Sequence, residues 1–191
     1  MASAAKNLSN PTLFRTYVPP RDPSYNCTIV EAIRATTAEE PFFTSIEIGD
    51  ANVKETFIYG GPRLNNPVKA VLDEAASIFS GQSISCLLSI GSGTHGIICI
   101  ETTSTSGLAR ALEKVVNDGE PISDEVAKAL SDRGVFYCRL NVDDGLRDIG
   151  FEDWESLGDV KTHTRQYLQK YDVVQKVDGL MRVLNRRTGA L

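Results

Sequence analysis

No apolar run in this 191-residue chain approaches the ~20 residues a membrane-spanning helix needs; the longest are strand-sized. The opening Met-Ala-Ser-Ala-Ala-Lys has neither the basic nor the apolar region of a secretory signal. Cysteine is scarce. Cys27, Cys86, Cys99 and Cys138 form no C-x-x-C pair, and the last three lie inside apolar, strand-like runs. That pattern fits reduced core thiols in a cytoplasmic protein and supplies neither a disulfide framework nor a zinc site. Asn7-Leu8-Ser9 and Asn26-Cys27-Thr28 match the N-glycosylation triplet but carry no weight without a secretory route. Basic excess is missing too: 20 Lys and Arg against 25 Asp and Glu leave a net charge of −5. A global nucleic-acid or anionic-membrane surface is therefore not expected, although a local basic patch stays compatible with that balance. Repeats, low-complexity tracts and long linkers are absent, so residues 1–191 read as one domain, large enough to bury a core.

What is present alternates between helix and strand patterns. Leu13 to Val18 reads as a short strand ended by Pro19-Pro20. From Asn26 through Pro41 the pattern is helical, with Ile29, Ala32, Ile33 and Thr36 at helical spacing and a capping box between Thr28 and Glu31. Ser45 to Ile48 and Thr56 to Ile58 read as strands on either side of Gly49-Asp50, the second ending at Gly60-Gly61. Asn65-Asn66-Pro67 opens the clearest helix, whose Val68, Val71, Leu72, Ala75, Ala76 and Phe79 share one face until Gly81 stops it. Ile84 to Ile90 is nearly continuous apolar, as expected of a parallel strand covered on both faces. Gly96 to Glu101 reads as a further strand. Helices are expected at Gly107 to Asn117, Asp124 to Ser131, His163 to Lys170 and Val173 to Asn185, interrupted by one strand, Val135 to Val142. The first ~105 residues thus form a sheet core with helices and the remainder is mostly helical, an α/β class with a mainly parallel sheet.

Few constellations carry chemistry. Gly91-Ser92-Gly93-Thr94-His95-Gly96 satisfies G-x-G-x-x-G after a strong strand, but the dinucleotide fold needs a helix to start there. Ile97-Ile98-Cys99-Ile100 follows instead, so a tight turn at a strand's end is the better account. No G-x-S-x-G elbow occurs; Gly81-Gln82-Ser83-Ile84-Ser85 misses the second glycine and runs helix-to-strand, the reverse of an elbow. His95 and His163 have no partner at metal-ligand spacing, and no cysteine has a base or basic cluster nearby in sequence. Asp143-Asp144 and Glu152-Asp153 read as solvated loop acids. Neither a metal nor a cofactor is expected.

Several segments together carry a resemblance. They are Asn26-Cys27-Thr28-Ile29-Val30-Glu31-Ala32-Ile33-Arg34-Ala35-Thr36-Thr37-Ala38 with Phe42-Phe43, Phe57-Ile58-Tyr59-Gly60-Gly61, Asn65-Asn66-Pro67, Leu88-Ser89-Ile90-Gly91-Ser92-Gly93, and Asp153-Trp154-Glu155-Ser156-Leu157-Gly158. In this order, over nearly the whole chain, they resemble a patatin-like phospholipase domain of the fungal type. The resemblance implies a lipid acyl hydrolase on a three-layer α/β sheet, with a Ser-Asp dyad, the serine in a G-x-S-x-G elbow, a Gly-rich oxyanion loop near the domain start, and the aspartate in D-G-G or D-G-A. This chain departs at all three. It corresponds to the C-terminal portion of the domain and starts after the elbow, so the N-terminal half, with nucleophile and oxyanion loop, is expected to be missing. Tyr59 stands where the family has the dyad aspartate, followed by Gly60 and Gly61, and Glu39-Glu40-Pro41 replaces an Ala-Ala-Pro-Thr-like turn.

The chemical consequence is direct. A tyrosine of reference pKa ~10 is no carboxylate base at neutral pH. Each lost oxyanion donor forfeits ~2.7–4 kcal/mol of transition-state stabilisation. Glu55 or Asp50 could be considered as a substitute acid, but Glu55 precedes Tyr59 by a strand length of ~13 Å. Three readings follow: a lipid acyl hydrolase homologue with no intact catalytic set, inactive alone; a non-enzymatic module binding lipid or protein; and one half of a split hydrolase completed by another chain, against which Tyr59 counts. The expected partners are a lipid or acyl ester, with self-association through an exposed sheet edge.

Overall fold

Buried apolar side chains gather in three clusters, one around Phe57, one around Val126 and one around Val173, and the computed structural model divides into two compact units, Met1–Asn65 with the first cluster and Asn66–Leu191 with the other two. It describes residues 2–4, 7–19, 25–100, 104–147, 149–150 and 152–188. The class is mixed α and β, with one small parallel sheet.

In the first unit, β1 (Ala2–Ala4), β2 (Asn7–Thr12), β3 (Ile46–Asp50) and β4 (Val53–Tyr59) form one sheet in the order β2-β1-β4-β3. Every pairing in it is antiparallel. The expectation of a mainly parallel sheet is therefore corrected here. The hairpin between β3 and β4 turns through Ala51 and Asn52, without the Asn-Gly or Asp-Gly pair that signals such a turn. The strand expected at Leu13 to Val18 is also displaced: residues 13–18 are irregular, and the strand is Asn7–Thr12. Pro11 argues against a strand in sequence, yet β2 lies at the sheet's edge, where a missing N–H costs no ladder bond. Phe14 serves the core instead, its ring 5.4 Å from that of Phe57, which Tyr25 also meets edge-on at 5.1 Å.

Helix α1 (Ile29–Thr36) starts as the sequence predicts. The Thr28 hydroxyl accepts from the Glu31 N–H, and the Glu31 carboxylate accepts from the Thr28 N–H. It stops short of Pro41, because the hydroxyls of Thr36 and Thr37 both bond back to the Ile33 carbonyl. Its buried side is not the expected one. Ala35 is fully buried against Ile48 and Phe57, while Ile29 and Ile33 are exposed. Small residues let the helix approach the sheet closely.

The second unit is built on β5 (Cys86–Ile90) and β6 (Phe136–Leu140), parallel and in register from Cys86–Phe136 to Ile90–Leu140. Helix α3 (Val68–Ile78) and helix α5 (Glu120–Ser131) pack Val68, Leu72, Val126 and Leu130 against Leu87 and Tyr137 on one face. Helix α7 (Tyr171–Thr188) crosses the other face, where Gly179 meets the Phe136 ring. Between β5 and α5 lies α4 (Thr105–Asn117), capped by Ser104, and α6 (Leu157–Leu168) precedes α7. The helices expected in this region are present: α3 starts at Val68 as its apolar pattern suggested, while α4 to α7 each start earlier than theirs did. Two strand expectations fail. Residues 96–100 form no strand because they find no partner, and Glu101 lies outside the described residues. Strand β5 is covered on one face alone at its end: Leu88 is 43% and Ile90 72% exposed. At the end of the first unit, Gly61–Leu64 forms a single helical turn, α2.

Candidate functional site

Strand β4 delivers Tyr59 to its C-terminal end, where the Tyr59 N–H donates to the Ala38 carbonyl at 2.9 Å. The phenol ring folds over the following backbone. A Cβ at position 61 would overlap that ring, so the second glycine of the Tyr-Gly-Gly run is required by the tyrosine itself. Burial pushes the Tyr59 hydroxyl above its ordinary value, and the Glu39 carboxylate pushes the same way. Tyr59 is a neutral phenol at physiological pH. The considered substitutes are not drawn in: the Tyr25 hydroxyl donates to the Glu55 carboxylate, and Asp50 is exposed at the end of β3.

A second polar assembly lies in the other unit, at the carboxyl ends of β5 and β6. Parity along the strands turns Ser89 and Arg139 to the α3–α5 side, beside the apolar pair Leu87 and Tyr137. Glu120, in the first turn of α5, gathers three donors on one oxygen: Arg139 Nε at 3.1 Å, Arg139 Nη2 at 2.9 Å and Asn141 Nδ2 at 2.7 Å. Arg139 Nη1 donates to Ser89 Oγ at 2.8 Å, and Ser89 Oγ donates to Asn66 Oδ1 at 3.3 Å. Asn66 Nδ2 closes the chain on the Gly119 carbonyl at 3.0 Å. Asn141 Oδ1 accepts the Gly93 N–H at 2.7 Å, and the Asn141 N–H reaches the Tyr167 hydroxyl at 3.1 Å. Asn66, Ser89 and Asn141 are buried. Gly91 has no room for a Cβ, which would strike Asn141 and the Arg139 guanidinium.

This cluster fixes a loop; it does not present a nucleophile. Ser89 Oγ accepts from a guanidinium and donates to an amide, and neither partner can take its proton. Among the described residues every buried side-chain nitrogen and oxygen has a partner. The G-x-G-x-x-G segment is the loop so held: the Gly91 N–H bonds the Leu140 carbonyl and the Thr94 N–H the Val142 carbonyl, at 2.8 and 2.9 Å. No helix starts at Gly96, and residues 91–96 are irregular, with a bend at Ser92.

No family model, curated protein or solved structure matches this chain. The remaining sequence candidates are dispersed. His95 lies in the Gly-rich loop, and His163 lies within α6, its ring against Gly145, rather than at a helix start. Burial raises the thiols of Cys27 and Cys138 above their ordinary value, the reverse of activation. Asp143 pairs with Lys170 at 2.7 Å, while Asp144 and Asp153 accept backbone N–H groups of Gly145 and Gly150. Among the described residues no group of three His, Cys, Asp or Glu could hold a metal, and no helix is long and apolar enough to cross a membrane. Sequence reasoning assigned no polar-cluster role to Asn66, Ser89, Glu120, Arg139 or Asn141. The available signal was a charged and an amide side chain, Arg139 and Asn141, inside the otherwise apolar run Val135 to Val142.

Proposed function

We propose that this chain is a patatin-like lipid acyl hydrolase homologue whose 191 residues do not themselves turn over an acyl ester. The observation that carries the reading is Tyr59, a half-buried phenol held neutral ahead of Gly60 and Gly61, where the resemblance calls for a carboxylate. Less than about one phenol in a thousand is ionised at pH 7 even at the unshifted pKa, so Tyr59 supplies no base to activate a serine. The residues contain no G-x-S-x-G, and the serine nearest a structured polar cluster, Ser89, has its hydroxyl committed to Arg139 and Asn66. The resemblance also leads to a three-layer sheet, of which β5 and β6, with helices on both faces, would be one portion. Completion by a second chain supplying the elbow would still leave Tyr59 at the acid position.

The test uses purified protein on a short acyl ester and on phospholipid vesicles. Turnover should match the buffer blank. Tyr59→Asp should match it as well, because an acid without its nucleophile has nothing to deprotonate. Hydrolysis that survives repurification and is titrated by a serine-directed phosphonate would overturn the proposal, and turnover in Tyr59→Asp alone would expose an overlooked serine.

A further inference from the structure

Strand β5 has one neighbour in its sheet. The bonds that bound its ladder run from the Phe136 N–H to the Ser85 carbonyl and from the Gly91 N–H to the Leu140 carbonyl, at 3.1 and 2.8 Å. Backbone groups alternate in direction along a strand, so Leu87 and Ser89 turn theirs toward β6. The N–H and C=O groups of Cys86, Leu88 and Ile90 then point to the outer edge. Among the described residues nothing bonds to them there. The side chains of the same three residues share one face, on which Leu88 and Ile90 are exposed. Edge strands are ordinarily guarded by lysine, proline or a bulge. This one has no such guard: no Asp, Glu, Lys or Arg occurs between Glu74 and Glu101.

We propose that this edge pairs antiparallel with the same edge of a second copy, the two β5 strands related by a two-fold axis through Leu88. The register favours that occupant. Centred on Leu88, it sets Leu88 against Leu88 of the second copy and Cys86 against Ile90, so each outward-pointing residue exchanges both of its hydrogen bonds. Facing residues in an antiparallel pair project to the same side, which joins the two exposed apolar stripes into one. No charge meets another across the seam. The two-fold is isologous, so pairing closes at a dimer instead of propagating into a fibre. A five-residue edge buries less than the ~800 Å² per partner of a stable complex, so the dissociation constant falls in the range of about 1–100 μM. The inference is independent of the hydrolase reading and is measured without substrate.

Light scattering and sedimentation from ~5 to ~500 μM should show the mass rising toward twice that of the chain. Leu88→Lys leaves the bonds to β6 intact, because its own backbone groups point outward, and should weaken pairing at least ~100-fold. A second variant guards against misfolding of the first. In the proposed register the Cα atoms of facing residues 86 and 90 lie ~5.5 Å apart, within disulfide range. Ile90→Cys with oxidised glutathione should therefore link to Cys86 of the second copy. Each bond forms as two thiols pass two electrons and two protons to the glutathione disulfide. The product is a covalent dimer on a non-reducing gel, and it disappears when Cys86→Ser is added. A monomer throughout the concentration range overturns the proposal. So does a dimer that Leu88→Lys leaves intact, or a cross-link that survives Cys86→Ser.

Discussion

Phe57 in the core of the first unit and Arg139 in the polar cluster of the second are held by opposite means. Phe57 is fully buried among Phe14, Tyr25, Ala35 and Ile48, in contacts that ask for volume and shape but no particular partner. Arg139 is held through Glu120 and Ser89, in contacts that fail if one atom is missing. The first kind of centre tolerates small rearrangement and loses stability in proportion to what is removed. The second positions the Gly91–Gly96 loop and the start of α5 sharply, and it is sensitive to any unmatched donor or acceptor. Folds of the doubly-wound α/β type bind ligands at the carboxyl ends of parallel strands, and here the polar side chains of the cluster at that end bond to one another and to the Gly91–Gly96 loop.

The largest effect should come from Phe57→Ala. Emptying a fully buried phenyl site costs ~3–5 kcal/mol. Native-state hydrogen exchange should show the loss in amides of β3, β4 and α1, with those of β5 and β6 unchanged. Equal loss in both units would mean that they do not behave as separate cooperative bodies.

Arg139→Met should come next, by about 2–3 kcal/mol. Breaking a buried pair costs ~3–5 kcal/mol, and Glu120, whose side chain is 38% exposed, recovers part of that through solvent. Adding Glu120→Gln should restore most of the stability, because the neutral amide oxygen still accepts from Asn141 and no unpaired charge remains. Chemical denaturation of the single and double variants reads the difference. If the double variant were no better than the single, the cluster would be acting through packing and the contrast with Phe57 would collapse.

The two centres were unequally legible in sequence. The order of helices and strands in the second unit follows from periodicity, since β5, α5, β6 and α7 each carry a clean apolar pattern. The capping box of α1 was legible because it is local, three residues from end to end. The first unit's sheet was not, because its pairing joins Ala2–Ala4 to Val53–Tyr59 across more than forty residues and no local pattern encodes that choice. The polar cluster depends on the same kind of distant convergence, bringing Ser89, Glu120 and Arg139 from three elements and Asn66 from the loop before α3. Residues 96–100 show the converse. Their β-branched side chains favour a strand, and without a neighbour to bond they form none.

The smallest expected effect tests the polar device that starts helix α1. Thr28→Ala removes the N-cap and should destabilise α1 by ~1 kcal/mol, visible as faster exchange in its first turn. The pH dependence of the same cap has a definite sign. Hydrogen bonds from the Thr28 N–H, and then from its hydroxyl, hold the Glu31 carboxyl below its ordinary value of 4.5. A carboxyl with a depressed folded-state pKa binds fewer protons folded than unfolded, so its contribution is fully present above 4.5 and fades as pH falls through the folded value. Side-chain NMR should place the Glu31 midpoint below 4.5 in the native chain and move it back toward that value in Thr28→Ala. Glu31→Gln should keep the bond to the Thr28 N–H while abolishing the acid-side loss, since an amide oxygen accepts the same bond without titrating. A native midpoint at or above 4.5 would detach the carboxylate from the cap and leave the helix start to Thr28 alone.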